Sequence, residues 1–415
     1  MVGVRKLRMG LVGGGDGAFI GAVHRMAAEL DGQIALACGA FSSDPARSRA
    51  AGTARYGLPA ARSYGSTAEM FATEAALPSG ERMDFVTIAT PNHTHFDIAH
   101  AALAAGFDVV CDKPATLDVA QARSLRDLVR MGDRIFVLTH NYTGYPMVKE
   151  ARRLVREGRL GPIRRVCVEY LQGWLAKPID AEGQKQASWR TDPARSGAAG
   201  CMGDIGSHAE SLVEYVTGLR IESLCADLHA FVPGRRLDDD GSVLLRFAGG
   251  ARGTLVASQV AIGEENNLRL RVYGEHGALD WSQQEPNTLT LRHDDRPAEV
   301  RRTGGPGVGP DAVAATRLPS GHPEGFLEAF ANLYRGFAAA YAAREGKAAY
   351  AAREGKAAYA AREGKAAHAA REETAAYAAG LDVPGIDDAL RGMQFIETVV
   401  ESSRRGGVWL SVPSQ

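Results

Sequence analysis

The chain is 415 residues long, with 48 basic and 49 acidic side chains and a formal charge of −1. Charges so evenly mixed exclude a nucleic-acid groove or an anionic membrane surface as the main partner. No apolar run is long enough to span a bilayer, and the cysteines (Cys38, Cys111, Cys167, Cys201 and Cys225) are scattered without a CxxC pair, as expected of a reduced, cytoplasmic protein.

The opening MVGVRKLRMGLVGGG is basic and then apolar, like a secretion signal, but its apolar part is short and runs into glycines. LRMGLVG is therefore read as a first buried strand. IALACGAF, DFVTIAT, DVVCDKP and IFVLTHN are further apolar runs of strand length, separated by amphipathic stretches such as HFDIAHAALAAG and LDVAQARSLRDLVRMG. This alternation predicts an α/β domain over residues 1–140, its parallel sheet covered on both faces.

From Ile163 to about Thr303 strand follows strand: IRRVCVEYLQGW, SLCADLHAFV, SVLLRFAGG, ARGTLVASQV, LRLRVYGEHGALDW and NTLTLRHD. Leu268, Leu270 and Val272 alternate with Arg269, Arg271 and Tyr273, the period of a sheet with one wet face. Residues 141–415 are thus expected to form an α+β domain around a large, mostly antiparallel open-faced sheet. That face would suit a homo-oligomer, a dimer or tetramer. Gly304 to Gly325 is rich in glycine and proline and reads as a surface loop. AAREGKAAY then repeats, with Tyr341, Tyr350, Tyr359, His368 and Tyr377 nine residues apart. Nine residues make two and a half helical turns, so successive rings point to opposite sides and no apolar face builds up. Residues 341–379 are read as an exposed, alanine-rich expansion preceding a last helix at 386–405.

Several turns carry chemistry. GLVGGGDGAFIGAVH follows the first strand and opens a helix, so Gly13 and Gly15 would let backbone approach a pyrophosphate at the helix N-terminus. The second strand ends in Ser42, Ser43 and Asp44 with Arg47 and Arg49 behind, which permits NADP as well as NAD. ATPNHTH and CDKPAT also stand at strand ends, and Lys113 there could steady an alkoxide. CMGDIGSH puts Asp204 and His208 one helical turn apart. That spacing alone is open to an acid–base pair, a metal site or a helix cap. A zinc site needs more ligands than Asp204, His208 or the histidines His93, His95 and His100 obviously supply, and no metal is expected.

ATPNHTH, CDKP and GGCMGDIGSH, in this order after a GxG strand, resemble the glucose–fructose oxidoreductase / inositol dehydrogenase / rhizopine catabolism family, written Gfo/Idh/MocA. The resemblance runs from Met9 to about Trp409 apart from the repeat. It implies a Rossmann domain followed by a substrate domain, bound NAD(P), and a catalytic lysine, aspartate and histidine that fall on Lys113, Asp204 and His208. In that scheme His208 takes a hydroxyl proton as hydride leaves, Asp204 orients the imidazole, and Lys113 approaches the same oxygen. Asp112 stands where glutamate is commoner, and the glycine loop is three residues longer before Gly21 and His24.

The cofactor residues are then expected to be Gly13, Gly15, Ala18, Phe19, Ile20, Ser42, Arg47, Thr90, Pro91, Asn92, His95, Asp112, Lys113 and Asn141. Tyr142, Trp174, Trp189, Arg190 and His322 join the catalytic set as substrate-binding candidates, since aromatic faces suit the C–H faces of a sugar. The resemblance implies a pyranose, cyclitol or nucleotide-linked sugar presenting a secondary alcohol or ketone. Two rival readings use the same scaffold: an NAD(P)-binding regulator without turnover, and redox-assisted glycoside cleavage.

Overall fold

The computed structural model describes residues 5–353 and 382–413. Strands β1 (Leu7–Gly13), β2 (Ile34–Ala40), β3 (Ser63–Tyr64), β4 (Phe85–Ala89), β5 (Asp108–Cys111) and β6 (Phe136–Leu138) pair in parallel. Their order is β3-β2-β1-β4-β5-β6, so the direction of winding reverses between β1 and β4 and opens a crevice there. β3 is only two residues long, too short for any periodicity to reveal it. Helices α1 (Ile20–Leu30), α2 (Pro45–Ala54), α3 (Thr67–Ala76), α4 (His95–Ala104) and α5 (Val119–Met131) connect the strands. Asp44, Ser66 and Asp118 cap α2, α3 and α5 by accepting a backbone N–H of the first turn.

The second sheet comprises β7 (Ile163–Leu171), β8 (Ile221–His229), β9 (Asp240–Phe247), β10 (Arg252–Ser258), β11 (Asn267–Gly274), β12 (Gly277–Ser282), β13 (Thr288–His293), β14 (Glu299–Arg302) and β15 (Leu410–Ser411). Its order is β14-β13-β12-β11-β7-β10-β9-β8-β15, with β7 and β10 parallel and the other described pairings antiparallel. One face carries Val166, Val168, Leu255, Leu270 and Trp281 into a core shared with Met147, Leu212 and Phe395 from three helices, Pro146–Arg156, Ser207–Thr217 and Ile386–Arg404. The other face presents Cys225, Leu244, Thr254, Cys167, Arg271 and Asp280 in one cross-strand row. Among the described residues no helix is long and apolar enough to cross a membrane.

Two expectations change here. The split at residue 140 is too simple, because the helix Phe326–Arg353 returns to the first sheet. Its Phe330, Leu333, Tyr334 and Phe337 bury against Met9, Phe85, Val110 and Val137. A parallel sheet needs apolar cover on both faces, and the later chain supplies part of it. The stretch from Gly304 to Gly325 is also more ordered than a plain loop: it holds a short helix, Pro310–Ala314, and Arg317 pairs with Asp31 at 2.6 Å.

The exposed-expansion reading needs correction at its first unit, while residues 354–381 lie outside the described residues. Tyr341 donates to Asp84, and Arg344 grips Asp108, which is only 1% exposed, at 2.5 and 2.8 Å. Deleting residues 342–368 removes three whole units and joins Tyr341 to AAREET, placing Arg371 where Arg344 stood. That deletion is expected to leave the thermal midpoint unchanged. Arg371→Ala in the shortened chain should then cost about 3 kcal/mol, because Asp108 would be buried unpaired. Thermal unfolding of both shortened chains checks this, and equal midpoints would refute the docked role of the unit.

Candidate active site

At the end of β1 the chain turns through Gly13, whose φ is +93°. A Cβ there would lie 2.4 Å from the Ala89 carbonyl oxygen at the end of β4, so only glycine fits. The turn leads through Gly14 and Gly15 to Ala18, Phe19 and Ile20 at the start of α1, and all of these line a cleft over the carboxyl ends of β1 and β4. The cleft holds about 1490 Å³. That exceeds the roughly 300–1,000 Å³ of a pocket for one small molecule, so a dinucleotide and a second ligand fit together.

Ser42, Ser43 and Arg47 line the far end of this cleft. The Asp44 carboxylate does not join them, since it accepts the Arg47 backbone N–H at 2.9 Å as the cap of α2. Without a free carboxylate at the end of β2, a ribose 2′-phosphate meets no repulsion. Ser42→Asp should therefore weaken NADP binding at least ten-fold more than NAD binding. Fluorescence titration of both cofactors measures this, and equal weakening would count against the placement of the ribose.

Thr90, Pro91 and Asn92 line the cleft after β4, but His95 does not. Its ring is buried, with Nε2 2.7 Å from the Thr90 carbonyl and Nδ1 2.7 Å from the Pro114 carbonyl. His95 thus ties two cleft turns together from behind and is withdrawn from the expected cofactor contacts. Asp112 accepts from the Thr139 hydroxyl at 2.8 Å and from the Lys113 backbone N–H at 3.1 Å. Asn141 also lines the cleft, and its buried Nδ2 has no partner among the described residues. A carboxamide oxygen such as that of nicotinamide would satisfy it, so these residues fit a dinucleotide.

The opposite wall comes from CMGDIGSH. Gly200 lets the chain pass close to Asp238, whose carbonyl oxygen would be 2.1 Å from any Cβ there. The Asp238 carboxylate accepts N–H groups of Gly200 at 2.6 Å and Met202 at 2.8 Å. Asp238 is thus the helix cap, which frees Asp204 from that task. Residues Met202–Gly206 make a π-helical turn before the helix Ser207–Thr217, and both Asp204 and His208 face the cleft.

Lys113 Nζ donates to Asp204 Oδ1 at 2.6 Å, Gln259 Nε2 to Oδ2 at 2.9 Å, and Arg190 Nε stands 3.4 Å from Oδ2. Burial opposes the charge of Asp204, but Lys113 and Arg190 outweigh it and hold the carboxyl well below the usual range. The expected Asp204–His208 pairing is corrected by this geometry, since the carboxylate is committed to Lys113. His208 instead has its Nδ1 3.2 Å from Nδ1 of His140 and sits edge-on to Tyr142, centroids 4.9 Å apart. Burial, together with the Lys113 charge, pushes the His208 imidazole well below its ordinary value.

Tyr142, Trp174, Trp189 and Arg190 line the same end, with the Arg190 guanidinium 4.2 Å from the Trp189 ring centre. His322 does not: it is exposed on a surface turn, near the Pro319 carbonyl, and is withdrawn as a substrate contact. Sequence reading missed a run of neutral hydrogen-bonding groups. Gln259 reaches Gln172 at 3.3 Å, Gln172 donates to Asn266 at 2.6 Å, and the Tyr170 hydroxyl bonds both Asn266, at 2.7 Å, and Tyr142. Tyr170 and Gln172 share the inward parity of Val166 and Val168 on β7, and polar groups on that face were a usable signal. Asn266 sits in a loop before β11 and carried none. Lys185 was also missed; it reaches across to the Asp16 carbonyl at 2.8 Å and closes an arch over the glycine turn.

Residues 7–140 match the model of the oxidoreductase family with NAD-binding Rossmann fold, and residues 148–280 match the GFO/IDH/MocA C-terminal domain. The chain is 31% identical over 409 residues to the "Uncharacterized oxidoreductase YfiI" of Bacillus subtilis, covering 98% of this chain and 97% of that protein. An inositol dehydrogenase homolog from Azotobacter vinelandii, solved with NAD+, superposes with a TM-score of 0.87 at 34% identity, covering 98% of this chain and 97% of that one. Its structure with NADH and myo-inositol gives 0.85 at 33% identity, with 98% of each chain covered.

Proposed function

Because the chain belongs to the Gfo/Idh/MocA family of oxidoreductases, we propose that it oxidises a ring carbinol of a cyclitol or pyranose, or reduces the matching ketone, with NAD. One observation carries this reading: Lys113, Asp204 and His208 meet in one cleft, between a dinucleotide-shaped end and the neutral row Gln172, Asn266 and Tyr170. Such a row alternates donors and acceptors, which suits a ring bearing several hydroxyls better than a charged substrate.

Bound NAD supplies the hydride acceptor. His208 takes the hydroxyl proton as the C–H bond yields its electron pair and the C=O bond forms. Lys113 holds negative charge developing on that oxygen, acting from the nucleotide side of the cleft. Asp204 anchors the ammonium and, with Gln259, keeps it aimed. Ser42 and Arg47 also leave room for NADP. The thiols are unpaired, in keeping with a cytoplasmic protein. Leu244, half exposed in the open face of the second sheet, supports a homo-oligomer through that face.

The test is a panel of inositols, aldopyranoses and anhydro sugars with NAD and NADP, followed by absorbance of the reduced nicotinamide. Turnover of at least one ring polyol is expected. Tight cofactor binding with no turnover of any of them would overturn the proposal in favour of a regulatory protein.

A further inference from the structure

We infer that His140 is a positioning residue that sets the tautomer of His208, an inference that rests on the base role proposed above. His140 lies two residues beyond β6 in a turn with a fixed backbone. Its N–H donates to the Leu138 carbonyl at 2.9 Å, and its carbonyl accepts from the Thr143 hydroxyl at 2.8 Å. The ring is 3% exposed and stands edge-on to His208, with centroids 5.1 Å apart and an interplanar angle of 79°.

Two ring nitrogens 3.2 Å apart share one proton, because two bare lone pairs or two N–H groups repel. His208 lines the cleft and His140 does not, so the His208 nitrogen left for substrate is Nε2. To accept a hydroxyl proton Nε2 must be bare, which in a neutral imidazole places the proton on Nδ1. His140 must therefore accept through Nδ1 and carry its own proton on Nε2. The opposite arrangement would leave His208 with Nε2–H, a donor with no lone pair for the substrate.

The other groups facing His208 do not supply this acceptor. Asp204 is held by Lys113, Gln259 and Arg190, and the ammonium of Lys113 has no lone pair. Tyr142 and Tyr170 turn their rings to His208 and their hydroxyls to each other and to Asn266. A neutral acceptor also differs in effect from a carboxylate. It fixes the direction of the imidazole without adding a negative charge, so His208 stays unprotonated and ready between turnovers.

The test combines ring ¹⁵N spectra of the full chain, labelled at histidine and saturated with NAD, with steady-state kinetics. In the parent, His208 Nε2 and His140 Nδ1 should both show the shift of a bare nitrogen, with His208→Asn used to assign the signals. His140→Asn places an amide oxygen where Nδ1 was, so it should keep the His208 tautomer and hold kcat within about three-fold. His140→Phe keeps a ring but offers no acceptor; His208 should become a mixture of tautomers and kcat should fall about 10- to 100-fold. NAD affinity and substrate KM should stay within about two-fold in both variants.

A parent His208 protonated at Nε2 would overturn the inference, as would equal kcat for the two variants or a loss carried by KM. If His140→Phe does not fold, the parent spectrum and His140→Asn decide. If the parent turns over no polyol, the proposed function fails while the tautomer is still read from the spectrum.

Discussion

His208→Asn is expected to lower kcat for polyol oxidation by roughly 10²–10⁴ while changing NAD affinity by less than about two-fold. Asparagine puts an amide nitrogen where Nδ1 stood, so the contact to His140 survives and the helix Ser207–Thr217 keeps its seat. What is lost is Nε2, the nitrogen placed to take the substrate's hydroxyl proton. In the parent, burial and the Lys113 charge hold the imidazole well below its ordinary value. Activity that needs the neutral base rises as pH climbs through that lowered value. The profile should therefore be flat near pH 6.5, where an exposed histidine would titrate.

Stability carries the same signature. Unfolded histidines bind protons as pH falls below about 6.5, whereas burial drives folded His140 down to about 3. The unfolded chain thus holds more protons in that window, and stability present above it is lost on acidification, by up to about 1.4 kcal/mol per pH unit for each histidine. His208→Asn should make this slope shallower. Stopped-flow kinetics and denaturant unfolding at several pH values read both effects. A variant turning over at the parent rate would end the base assignment.

The parts of the fold that were legible in the sequence are those with a strong local period. Strands β1, β4 and β5 are rich in apolar residues because their middles are buried on both faces, and Leu268, Leu270 and Val272 alternate because β11 is wet on one side. The return of Phe326–Arg353 to the first sheet was not legible, since an apolar helix face does not name the surface that it covers. The site divides in the same way. Lys113, Asp204 and His208 stand in short motifs, but their partners do not. His140 looked like part of a strand end, and Asp238 lies far along the chain from the helix it caps. Asp204 and His208 are near in sequence yet bond to groups from other segments, so helical spacing suggested a pair that the packing separates.

Those separate allegiances make Lys113 and Asp204 the next unit to break. Lys113→Met should lower kcat by roughly 10²–10³, the usual cost of losing one donor to a developing oxyanion. It should also cost about 3 kcal/mol of stability, because a carboxylate whose side chain is 16% exposed would lose its ammonium partner and keep Arg190 and Gln259. Asp204→Asn should slow turnover less, since the ammonium still donates to the Asp204 backbone carbonyl. The double variant replaces a buried ion pair by neutral groups. It should regain most of the lost stability and none of the lost rate.

The pH dependence has a definite sign. Asp204 is held below its unfolded value of about 3.9, so the stability it contributes is present above that value and is lost as pH falls through the depressed folded one. Removing Lys113 leaves burial to raise the carboxyl instead. The deficit of Lys113→Met should then be largest near neutrality and shrink on acidification, as the stranded carboxylate takes up a proton. Denaturant unfolding of the four proteins across pH closes the cycle. If the double variant is as unstable as Lys113→Met, or the deficit grows towards acid, then Asp204 does not depend on Lys113, and the ammonium is positioned by something else.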